Sequence, residues 1–174
     1  VAYWTRVYSL QIAIKTAKQP DEKMFLIKIM DWLETMKKTY KDNDLIINDT
    51  VAQAYLENYA HKLFSFADAR DRSSDFGKNV VKSFYTSAML YDVIGVFGEL
   101  SEEANQNRKY AKWKAAYIHN CLKSGETPHA GPLPVEGDDD LPTSNQADEP
   151  GTSSSFGWNT NPTQPPQQQQ FQPS

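Results

Sequence analysis

Three histidines and one cysteine are the residues of this 174-residue chain best suited to metal binding or nucleophilic chemistry: His61, His119, His129 and Cys121. A structural zinc site needs several Cys or His ligands at short spacings, and these four are scattered. Glu57 and His61 stand four apart, but di-metal chemistry in a helical bundle needs facing Glu-x-x-His pairs, and no second pair exists. A nucleophilic Cys121 would need a positioned base; His119, two positions away, faces a different way on a helix, so Cys121 reads as a small half-buried hydrophobe. Gly77, Gly95 and Gly98 are isolated and form no phosphate-binding loop. The chain therefore reads as a non-enzyme with no cofactor and no metal. Arg108, Lys109, Lys112 and Lys114, interleaved with Tyr110 and Trp113, raise an alternative: a basic-faced bundle that binds nucleic acid or an acidic membrane surface. A solvated helix face is the plainer account of those cations.

The elements that would carry these residues are helical. Tyr3, Val7, Leu10, Ile14 and Ala17 recur at intervals of four and three, which predicts a helix over about Val1 to Ala17. Gln19-Pro20-Asp21 breaks it, and Phe25, Ile29, Trp32, Leu33, Met36 and Tyr40 give a second helix, about Glu22 to Lys41, its apolar face. A long third helix is expected from Leu45 to Asp68. Polar residues from Asp71 to Asp75 make a loop, and a fourth helix spans Phe76 to Phe97. Ser101 caps a fifth, with Glu102 and Glu103 complementing its dipole, and Gly125 and Pro128 stop it. At ~100° per residue, Ala104, Ala111, Ala115, Ile118 and Leu122 share one side of that fifth helix, while Tyr110, Trp113, Tyr117 and Cys121 form a second stripe roughly 125° away. No strand is predicted, so the fold class is all-α.

Composition divides the chain near Lys123. All 18 basic residues and 15 of the 22 acidic ones lie at or before it, a net +3, whereas the remainder carries seven acids and no base. Nine of the 10 prolines fall from Pro128 onward, among Ser, Thr and Gln, so residues 125–174 are expected to be a disordered acidic linker that cannot offset its own ordering entropy. One cysteine, no signal peptide and no apolar run of spanning length argue for a cytoplasmic chain without direct membrane insertion. Val1 already begins an amphipathic pattern, which suggests a fragment whose N-terminal neighbour is missing.

Longer motifs carry a resemblance. LENYA (Leu56 to Ala60), FADARDR (Phe66 to Arg72), KSFYTSAML (Lys82 to Leu90), DVIGVFGELSEE (Asp92 to Glu103) and RKYAKWKAAYIHNCLKSGETPHAGP (Arg108 to Pro132) resemble the LYST-interacting protein five / Vta family, and VAYWTRVYSLQIAIK (Val1 to Lys15) and KIMDWLETMKK (Lys28 to Lys38) extend the match. The resemblance implies tandem MIT three-helix bundles followed by a linker. Residues 1–42 would be an incomplete first module lacking its N-terminal helix, and residues 43–124 the second. It implies a protein recruited to endosomes that binds C-terminal tails of ESCRT-III subunits, the charged multivesicular body proteins. The Vps-four-type AAA ATPase would be engaged only through a C-terminal domain absent here.

In such a family the first module takes a tail helix into a groove beside its last helix, which directs attention to Met30, Leu33 and Lys37 at spacings of three and four, flanked by Asp31 and Glu34. An apolar ridge beside acids suits a tail that carries an arginine. In the second module Trp113, with Tyr110 and Tyr117 beside it, is the expected anchor for a longer leucine-rich segment, because large aromatics dominate such interfaces.

Overall fold

Capping chemistry sets the helix starts and breaks one of the expected helices in two. The computed structural model describes residues 1–133; among them are six helices and no strand: α1 (Ala2–Thr16), α2 (Pro20–Thr39), α3 (Asp44–Ile47), α4 (Asp49–Arg72), α5 (Lys78–Ile94) and α6 (Glu102–Ser124). Of the tail expected over residues 125–174, residues 134–174 lie outside the described residues. The all-helical expectation holds, but the long third helix does not run unbroken from Leu45. Asn48 is extended (φ −114°, ψ 107°), and its side-chain oxygen accepts the Val51 N–H, so it starts α4 afresh. A short polar side chain that satisfies an orphan N–H of a helix start competes with continuing the preceding turn. The same helix continues past Asp68 to Arg72, which places Asp71 in α4 and not in the loop assigned to it.

Other starts follow the sequence. Pro20 opens α2, and the Glu22 carboxylate accepts the backbone N–H groups of Lys18 (2.8 Å) and Gln19 (2.9 Å). Those bonds, Gln19 first and Lys18 next, hold the Glu22 carboxyl below its usual range. Ser101 Oγ accepts the Ala104 N–H at 3.1 Å to start α6, and Gly125 ends it with φ +79°, a conformation that glycine adopts without a Cβ penalty.

Helices α4, α5 and α6 pack side by side as a three-helix unit. One end holds Ala67, Val80, Phe84, Ala88, Ala111, Ala115 and Ile118. The other end is shared with α1: Trp4 joins Ala52, Leu56, Ala60, Leu90, Tyr91, Val93, Ile94 and Ala104, with Tyr3, Val7 and Tyr8 packed against them. Small residues let α4 and α5 approach closely, and the buried Ser87 hydroxyl donates to the Ala60 carbonyl at 2.8 Å, so its burial leaves no orphan donor. Asp92 on α5 ties to α6 through Arg108 (3.2 Å) and Lys112 (2.9 Å).

The α1–α2 pair is thinner. Its buried residues are Trp4 on α1 and Leu26 and Leu33 on α2. Several members of the expected faces are exposed, Ile14 at 55% and Phe25 at 62% among them. On α1 the inward side turns to Trp4, because its indole N–H donates to the Leu45 carbonyl (2.7 Å) and its ring meets Phe97 (4.5 Å between centroids). Leu122, expected on the core side of α6, is 45% exposed, whereas its neighbour Cys121 is buried at 7%.

Candidate partner-binding surfaces

The row on α2 is split by burial. Met30, Asp31, Glu34 and Lys37 are exposed, while Leu33 is buried in the body of the α1–α2 pair. Leu33 thus supports the ridge from beneath, and Met30 is its apolar surface. Trp32, partly buried on the same helix, lies under the Arg6 guanidinium, 4.1 Å from the ring centroid.

The second stripe of α6 forms an aromatic ladder. Tyr110 packs edge-on against both Phe64 and Phe84, each with its centroid 6.1 Å away. Trp113 follows at 6.0 Å, and Tyr117 stacks on Trp113 with centroids 5.4 Å apart and planes 4° from parallel. Tyr110 and Tyr117 pack against the core; Trp113 is partly exposed and belongs to neither core cluster.

Between the two stripes of α6 lies a residue expected among solvated cations. Lys114 is fully buried. Its Nζ pairs with Asp71 Oδ2 at 3.1 Å, both side chains 0% exposed, and donates to the His129 carbonyl at 2.8 Å. The chain after α6 therefore does not leave the bundle at Gly125. Residues 128–133 fold back along α6 and α4: the His129 N–H donates to Tyr117 Oη (3.0 Å), the Gly131 N–H to Asp71 Oδ2 (2.9 Å), and Pro128 is buried. The linker expected to start at residue 125 is thus in contact with the folded unit as far as the description extends.

These residues had a legible signal only in part. At ~100° per residue, Lys114 falls roughly 60° from Ala111 and roughly 40° from Tyr110, inside the apolar arc. A cation there must find a buried anion. That the anion is Asp71, on another helix, is a tertiary fact. These pairings weaken the alternative of a basic surface: on α6, Arg108 and Lys112 are held by Asp92 and Lys114 by Asp71.

The residues suited to catalysis are dispersed. Cys121 is buried, His119 is exposed, and His61 approaches Ser65 Oγ at 3.4 Å. Among the described residues no group of three or more His, Cys, Asp or Glu is placed to hold a metal ion. None of the described helices is long and apolar enough to cross a membrane.

Tyr110 Oη is buried without a hydrogen-bond partner, as is Asp71 Oδ1. Burial raises the Tyr110 pKa above its ordinary 10.0, and the charges of Asp71 and Asp68 raise it further; the Leu133 backbone and Arg72 offset part of this, the former without reaching normal hydrogen-bond geometry. A raised folded-state pKa means that the protonated phenol contributes stability below pH ~10 that is lost as pH rises through the folded value. In an alkaline titration followed by phenolate absorbance, a late component is expected, and Tyr110→Phe should reduce it. The same substitution should cost almost nothing in stability, because it deletes a buried hydroxyl that has no partner. A loss above about 1 kcal/mol would show that the hydroxyl is bonded after all.

The fold and these surfaces define an all-helical protein built on a three-helix unit, with an aromatic ladder along one helix and an apolar ridge beside acids on another. Its sequence relationships agree. The family described as "Vta1 like" matches residues 1–124. The chain is 49% identical over 175 residues to a vacuolar protein sorting-associated protein VTA1 homolog of Homo sapiens, covering all of this chain and 55% of that protein. A Bos taurus protein of the same name is 53% identical over 139 residues, 79% of this chain and 45% of the relative. An Arabidopsis thaliana protein named as a homolog of mammalian LYST-interacting protein 5 is 30% identical over 141 residues, 81% of this chain and 32% of the relative. The chain belongs to the Vta1 family, as the motif resemblance implies, and spans about half the length of the human relative.

Proposed function

We propose that this chain is the recognition part of a non-enzymatic adaptor in the ESCRT and multivesicular-body pathway, binding C-terminal tails of ESCRT-III subunits at endosomes from the cytoplasm. In this reading residues 1–42 belong to a first MIT module and residues 43–124 form a second. No cofactor takes part, and in a full-length protein a further domain would bring the bound polymers to a Vps-four-type AAA ATPase. The family membership and the sorting-associated names of its relatives support the pathway.

The observation that carries the binding site is Trp113. It is a large aromatic, aligned by stacking on Tyr117, partly exposed and outside both core clusters, so it offers an organised surface. Rigid aromatics held in place lose little entropy on binding, which is why they dominate interface energetics. Met30, rimmed by Asp31, Glu34 and Lys37 and underlaid by Leu33, is the corresponding ridge of the first module.

Titration of the chain with a synthetic leucine-rich ESCRT-III tail tests this. Trp113→Asp should weaken binding by about 2 kcal/mol or more, roughly thirtyfold, while helicity by circular dichroism stays at the parental level. Parental affinity in the variant would remove Trp113 from the site. Global unfolding of the variant would assign it to the core and defeat the placement equally.

A further inference from the structure

The contacts of residues 128–133 have an unusual character: the side chains on the bundle read main-chain groups. Tyr117 Oη accepts the His129 N–H, Lys114 Nζ donates to the His129 carbonyl, and Asp71 Oδ2 accepts the Gly131 N–H. Pro128 is buried ahead of them, whereas His129 is exposed. At Gly131 the fit excludes any side chain. An added Cβ would lie 2.5 Å from Tyr110 Oη and 2.6 Å from Asp71 Oδ2. Both atoms are held in place: Tyr110 packs edge-on against Phe64 and Phe84, and Asp71 is fully buried and paired with Lys114.

Side-chain acceptors and donors set for main-chain groups, a buried proline and a position that admits only glycine are the parts of a peptide-recognition site. We propose that α4 and α6 form such a site for a peptide of the pattern Pro-x-x-Gly, and that the chain's own Pro128–Gly131 is its resident ligand. Asp71, Lys114 and Tyr117 supply the backbone contacts, and Tyr110 with Asp71 supplies the glycine selection. The cis ligand is retained by tethering: it follows directly on α6, so its effective concentration is high although each contact is modest. The two buried polar atoms without partners, Asp71 Oδ1 and Tyr110 Oη, are a cost of the filled site that release of the segment would remove by hydration. The segment is thus a ligand that a competing peptide can displace, whatever binds at Trp113.

The test uses the full chain and a labelled synthetic peptide of residues 126–133. In the parent, the His129 and Gly131 amides should exchange with solvent far more slowly than in the free peptide. Gly131→Val should release the segment and leave the site open, so that the peptide binds this variant at least about tenfold more tightly than the parent, where the cis segment competes. Gly131→Ala should behave the same way to a smaller degree, which covers the case of a poorly folded valine variant. His129→Ala retains both main-chain groups and should match the parent. Free-peptide exchange rates at residues 129 and 131 in the parent would overturn the proposal. So would absence of peptide binding to the folded Gly131 variants, or equal binding of a peptide carrying valine in place of the glycine.

Discussion

Lys114→Met should destabilise the chain by about 3 kcal/mol, lowering Tm by roughly 10 °C, whereas Lys112→Met should cost under about 1 kcal/mol. The two lysines are two positions apart and both pair with an aspartate, yet their surroundings differ. Lys112 is 38% exposed, and its partner Asp92 keeps Arg108 when Lys112 is gone. Lys114 and Asp71 are both 0% exposed, and Lys114 is the only cation paired with Asp71 among the described residues. Truncating it strands a carboxylate in a low-dielectric site, the costly way to break a buried pair. The loss sits at the low end of the usual range of about 3–5 kcal/mol because Asp71 Oδ2 keeps the Gly131 N–H as a donor. Replacing both partners, Asp71→Leu with Lys114→Met, should recover part of the stability: an apolar pair of similar volume leaves no charge to solvate, but the Gly131 N–H and His129 carbonyl lose their partners. Thermal and urea unfolding of the three variants decide the matter. Near-parental stability of the single Lys114 variant would mean that the pair is open to water.

The Asp71–Lys114 pair also marks where sequence reading stops. Elements were legible because their determinants are local: Pro20 and Glu22 at the start of α2, Ser101 at the start of α6 and Gly125 at its end are each a short-range contest between side chain and backbone. Asn48 belongs to the same class, but an asparagine within an apolar periodicity is ambiguous until its hydrogen bond is seen. Faces were less legible. Periodicity shows that two sides of α6 are apolar, yet not that Tyr110 faces Phe64 and Phe84 while Trp113, three residues on, remains partly exposed. That division depends on which helices are neighbours.

The candidate site divides in the same way. The residue types on the α2 row and the aromatic stripe could be picked out from spacing, and exposure at Met30 with burial at Leu33 separates ridge from support. Residues 128–132 are ambiguous in the sequence for a physical reason: Pro and Gly report the end of a helix equally well whether the chain then departs or turns back. What distinguishes the two outcomes is the pair of main-chain groups on His129 and the absence of a Cβ at Gly131, and these have meaning only beside Lys114, Tyr117 and Asp71.

Trp4→Ala should release α1 and α2 while leaving α4–α6 folded, at a cost of about 3–5 kcal/mol to the α1–α2 half. The buried residues of those two helices are Trp4, Leu26 and Leu33, each 8% exposed, whereas Leu56, Phe84, Ala111 and Ile118 of the three-helix unit are at 0%. Ordering the backbone of α1 and α2 costs about 1–2 kcal/mol per residue, and an α-hairpin with so little buried surface cannot offset that alone. Its docking to the rest depends on Trp4, which fills a place in the shared core, meets Phe97 and donates to the Leu45 carbonyl. In the parent, amide exchange should already be faster in α1 and α2 than in α4–α6. In the Trp4→Ala chain, protection in α1 and α2 should fall to near the unfolded level with little change in α5 and α6. Trp4→Phe keeps a ring against Phe97 but removes the donor to Leu45, so it should cost only about 1–2 kcal/mol and leave the helices docked. A uniform loss of protection across all six helices would instead show that the α1–α2 pair and the three-helix unit unfold as one, with the Trp4 contact serving the whole and not the docking of one part on the other.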